Sequence, residues 1–156
     1  MNLQVHPMLV HFPIALLFAS VLFDMAARVF TRDSLRDGAL WLLGFGLLGG
    51  IVAAFAGGVA EEAAEKAGVA EALIETHEML AKVTLGIMGV MFLYRFLLRN
   101  RLTAGAFVAY SLLAAVGLVA ISATGHTGGN LVYEHGAGVH LSYDATRAST
   151  PFARNE

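Results

Sequence analysis

The sequence predicts an all-α fold: an integral-membrane antiparallel four-helix bundle with both termini on the periplasmic side. Three observations predict it. The 156 residues are 57% apolar and only 14% charged, with a mean hydropathy of +0.67, too apolar for an ordinary water-soluble domain. The apolar residues fall into four stretches, each about 20 long, the length a helix needs to cross ~30 Å of hydrocarbon. The arginines gather in alternate connections between those stretches, which is the charge pattern of a multi-pass chain.

The first span covers residues 8–29. His6-Pro7 precedes it, and proline suits the first turn of a helix. No basic run comes before the span and no A-x-A site follows it, so it reads as an uncleaved helix entering from outside. Asp24 and Arg28 stand four apart and are expected to pair at the inner interface. The second span, 38–59, holds Gly44, Gly46, Gly49 and Gly50, with Gly57 and Gly58 at its end; small residues let membrane helices approach closely.

Residues 59–78 (VAEEAAEKAGVAEALIETHE) read as a helical extension, a turn near Gly68, and a run into the third span, 79–98, whose helix starts near Val69. The fourth span is 102–124. After it, Gly125, Gly128, Gly129, Gly136 and Gly138 predict a looped stretch. Residues 1–141 thus form one transmembrane domain, and 142–156 a weakly ordered outer tail.

Charge sets the orientation. Arg28, Arg32, Arg36, Arg95, Arg99 and Arg101 share one side with Asp24, Asp33 and Asp37, a net charge of +3 that marks the cytoplasmic face. The other side carries Lys66, Lys82, Arg147 and Arg154 against nine acids, a net −5. The expected location is the inner membrane, with lipid as the first partner.

With no cysteine in the chain, disulfides, thiolate zinc, cysteine-held iron–sulfur clusters and covalent c-type haem are excluded. There is no G-x-S-x-G elbow, P-loop or dinucleotide fingerprint. Basic residues are few and sit where topology wants them, which argues against nucleic acid. An electron-transfer or binding subunit fits better than a stand-alone enzyme.

Five histidines sit at span ends on the outer face: His6, His11, His77, His126 and His135. His140, in the tail, is the least constrained. Imidazole is a common neutral ligand for metals and haem iron, although interfacial histidines also cap helices and bond headgroups. His6 and His11 are five apart, a net rotation of about 140°, so they point different ways.

Three functional readings follow. The first is non-covalent haem b with two axial histidines, one or two haems near the outer face, and electrons exchanged with quinol or a periplasmic cytochrome or other redox protein. His11, His77 and His126 are its first candidate ligands. His6 and His135 follow, for a second site or as orienting partners. The second is copper or zinc held by histidine with Glu75, Glu78 or Glu134. The third is a non-catalytic anchor or assembly subunit for a redox partner, alone or as a homo-oligomer. A transport role needs polar groups in the helix centres, which offer only Ser20, Thr84 and Ser111.

The opening HPMLVHFPIALL (6–17) and the closing ATGHTGGNLVYEHGAGV (123–139) together resemble a bacterial family of small four-helix membrane proteins, domain of unknown function 2231. The resemblance covers residues 5–139 and marks His6, His11, His77, His126 and His135. It implies a membrane protein often found near cytochromes and other redox proteins, which favours the haem reading.

Overall fold

A computed structural model describes residues 5–66, 68–98 and 103–137. The tail expected at 142–156 lies outside the described residues, as do Arg99, Arg101 and His140. All regular structure among the described residues is helical: α1 (Val5–Leu9), α2 (His11–Phe30), α3 (Asp33–Lys66), α4 (Glu71–Leu97) and α5 (Ala104–Tyr133). Four helices are long and apolar enough to cross a membrane, α1 and α2 counting together as one.

The break between α1 and α2 has a local cause. Pro13 has no N–H to give the Leu9 carbonyl four residues earlier, and its ring crowds that carbonyl. Around Val10 the path stays near-helical, with the Val10 N–H on the His6 carbonyl at 3.1 Å and the Ile14 N–H on the Val10 carbonyl at 3.4 Å. Next, α2 ends at Thr31, which takes a left-handed φ of 51° and bonds its hydroxyl to the Phe30 carbonyl at 2.8 Å. A two-residue turn then starts α3, whose 34 residues span ~51 Å at 1.5 Å per residue, well beyond the hydrocarbon.

The extension of α3 and the turn at Gly68 stand where the sequence puts them. Gly68 adopts φ +86°, a conformation glycine reaches without steric cost. The fourth span differs from expectation. Its helix, capped by the Thr103 hydroxyl on the Ala106 N–H at 3.2 Å, runs on to Tyr133 and takes in Gly125, Gly128 and Gly129. These three glycines are helical rather than loop markers. In a membrane helix a missing Cβ serves close packing, and Gly128 uses it. The helix is closed off later, in a turn at Gly136 with φ +69°.

Packing registers run in opposite senses along neighbouring helices. A Cβ built on Gly38 would meet Phe23, one on Gly46 Leu16, one on Gly50 Pro13, and one on Gly57 His6. Between α4 and α5, Tyr94 bonds the Ala106 carbonyl at 3.1 Å, Thr84 meets Thr124 at 2.9 Å, and His77 meets Thr127 at 3.0 Å. Leu17, Val21, Leu43, Met88, Met91 and Tyr110 form the buried core. Leu22, Trp41, Phe55, Leu112 and Val119 are exposed on the outer surface, as lipid-facing side chains are.

No Cα of α1 or α2 comes within 8 Å of one of α4 among the described residues. Side chains cross that gap, and one crossing corrects the sequence reading. Asp24 pairs with Arg95, not with Arg28. Arg95 Nη2 donates to Asp24 Oδ1 at 2.8 Å and Nε at 3.0 Å, while Nη2 also reaches the Arg36 carbonyl at 3.0 Å. Both residues are buried, Asp24 at 5% and Arg95 at 1% exposure. Arg28 instead lies exposed with its guanidinium 5.5 Å from the Phe107 ring centre. Both candidates are guanidinium groups; Arg95 is itself buried and needs the carboxylate, whereas Arg28 can stay in water.

Candidate functional site

At the opposite end, the same gap is crossed by His6 and His77. Their ring centres lie 6.2 Å apart with planes at 85°. Pro7 and Pro13 shape the piece that carries His6, and His77 sits in the second turn of α4.

Glycine seats each ring. A Cβ on Gly57 would lie 3.1 Å from His6 Cε1, and one on Gly128 would lie 2.9 Å from His77 Cε1. The second distance is closer than packed carbon atoms sit, so Gly128 is needed for the ring's position. On α3, Gly57 stands one turn after Ala53, and its bare backbone lets the imidazole reach the Ala53 carbonyl.

The hydrogen bonds assign the tautomers. His6 Nδ1 stands 2.7 Å from the Ala53 carbonyl oxygen, which can only accept, so Nδ1 carries the proton. The Thr127 hydroxyl gives its own proton to the Thr124 carbonyl at 3.0 Å. Its oxygen is therefore the acceptor for His77 Nδ1 at 3.0 Å. In both rings Nδ1 is the donor anchored to the protein, and an anchor of this kind fixes the ring's orientation. A polar strip continues inward: Thr124 donates to the Ala120 carbonyl at 2.9 Å and meets Thr84.

Of the five candidate histidines, the structure brings together His6 and His77. His11 is exposed, with Nδ1 2.8 Å from the Pro7 carbonyl. His126 is exposed on α5. It precedes the inward Thr127 by one position, a rotation of about 100°. His135 lies exposed in the turn after α5, Nδ1 3.2 Å from the Asn130 carbonyl. Glu78 is paired with Lys82 at 2.9 Å, and Glu75 and Glu134 are exposed. Among the described residues no three histidine, aspartate or glutamate side chains gather to hold a metal ion.

Sequence reasoning missed the supporting residues. Thr127, the Ala53 carbonyl and the seating role of Gly57 and Gly128 carry no motif; the one available signal was the glycine on either side of the His126-Thr127 pair.

The family described as predicted membrane protein, DUF2231, matches residues 2–141. No curated protein and no solved structure matches the chain.

Proposed function

The chain belongs to the DUF2231 family of predicted membrane proteins, and on that footing we propose that it is a membrane-embedded electron-transfer protein holding one haem b between His6 and His77. The observation that carries this reading is the pair of imidazoles set side by side, each anchored through Nδ1 to a neighbouring helix. Two protein donors are too few for a zinc or copper(II) centre, which takes three or four. They suit an iron that arrives with its other donors in a macrocycle. His6 and His77 would hold such a group, and their ring centres lie 6.2 Å apart.

When bound, haem supplies a one-electron redox couple. The chain's own contribution is to hold two rings in one tautomer, seat them on Gly57 and Gly128, and surround them with helices. In this reading the spans form an antiparallel bundle in the bacterial inner membrane. Both termini face the periplasm, where quinol or a redox protein reaches the site. The opposed packing registers support the antiparallel arrangement, and the arginine-rich connections support the orientation.

The test is the absorption spectrum of the full-length protein purified in detergent. A Soret band, with paired visible bands on reduction, is expected. A colourless preparation from haem-replete cells rejects the reading, and stoichiometric copper or zinc in it would point to a protein-only centre. For orientation, a tag after Glu156 should be reached from the periplasm.

A further inference from the structure

The other end of the bundle carries a second feature that the histidine reading does not use. All four long helices contribute to a shallow, open hollow enclosing about 30 Å³ and lined by Asp24, Ala27, Arg28, Arg36, Arg95 and Phe107. Three guanidinium groups thus face one carboxylate, and that carboxylate is already held by Arg95 at 2.8 Å. Arg36 also touches Asp33 at 2.7 Å, on the exposed rim. Among the described residues this end bears Arg28, Arg32, Arg36 and Arg95 against Asp24, Asp33 and Asp37, a net +1. Arg36 and Phe107 also lie in the first turns of α3 and α5, where the helix dipole adds positive potential.

Val29, Phe30 and Val108, next in sequence to the lining residues Arg28 and Phe107, are apolar and exposed. A group that is anionic at one end and apolar at the other matches both parts. Basic pockets between membrane helices bind lipid headgroups in this way.

We propose that this hollow is a binding site for the phosphate of an anionic membrane lipid. Arg28 and Arg36 touch the phosphate, and Arg95, locked by Asp24, stands behind them as a fixed positive wall. The acyl chains run over Val29, Phe30 and Val108. The site is independent of the histidine pair and of which face of the membrane it occupies.

The test is native mass spectrometry of the full-length protein taken from nanodiscs of phosphatidylcholine mixed with phosphatidylglycerol. Selective retention of phosphatidylglycerol is expected. Arg28→Gln and Arg36→Gln should each lower that retention about fivefold, the effect of removing one basic residue beside an anionic lipid. Arg32→Gln, on the same connection but outside the hollow, should leave it unchanged. Melting temperatures of the same samples separate loss of lipid from loss of fold. Equal retention of both lipids by the wild type, or an Arg32→Gln loss as large as that of Arg28→Gln, overturns the proposal. A second arm adds inorganic phosphate to delipidated protein in detergent. Stabilisation matching that by phosphatidylglycerol would assign the hollow to a soluble phosphate and overturn the lipid assignment; stabilisation by the lipid alone supports it.

Discussion

At the Asp24 end of the bundle the gap between α2 and α4 is crossed by an ion pair; at the His6 end the gap between α1 and α4 is crossed by two imidazole rings. Arg95 spends Nε and Nη2 on Asp24 and the Arg36 carbonyl, so the pair acts as a clamp. The two rings are held separately, His6 through Nδ1 on α3 and His77 through Nδ1 on α5. One crossing ties two helices directly, and the other sets two independently anchored rings side by side.

The comparison breaks most sharply at the clamp. Asp24→Ala or Arg95→Ala alone should cost about 3–5 kcal/mol by stranding a buried charge, read as a large fall in melting temperature in detergent. Replacing both, Asp24→Leu with Arg95→Met, should recover most of it. If the single variants melt like the wild type, the clamp is not structural.

The histidine end should respond in ligand content first. His6→Ala and His77→Ala should each lose the pigment, whereas His11→Ala and His126→Ala should keep it. Pigment retained without His77 removes the pair from the site.

Thr127→Val sharpens the tautomer argument. It takes away the acceptor for His77 Nδ1 and should weaken cofactor affinity about tenfold or more, measured by haem transfer to a competing apoprotein. An unchanged transfer rate would mean the hydroxyl does not orient the ring. The smallest effect is expected at Thr84→Val, which breaks the hydrogen bond to Thr124; such bonds are worth about 0.6 kcal/mol in membrane proteins. The shift should appear in melting temperature and leave any spectrum untouched.

The spans and the Gly68 turn were legible because length, apolarity and glycine chemistry are local properties. The clamp was not. Asp24 and Arg95 stand 71 residues apart, and near-neighbour rules favoured Arg28, four residues away. Arg95 looked like one more orienting arginine at a span end. The site was half legible. Interfacial position treated His6, His77, His11 and His126 alike, because rotation about a helix near a proline break and past an undetected span end decides which rings face inward. Gly128 was read as a loop marker when it is a helical residue whose bare backbone leaves room for the His77 ring.

The Asp24–Arg95 bridge also bears on biosynthesis. It ties the first long span to the third, so it cannot form while only the α2–α3 hairpin has left the ribosome. Until α4 arrives, Asp24 must be tolerated without its counter-ion, and an isolated acid within a span is costly to insert. Arrival of Arg95 removes that cost, so the late-made half of the chain completes the early half. A truncated chain ending before α4 should be a poor resident of the bilayer and a ready substrate for membrane proteases.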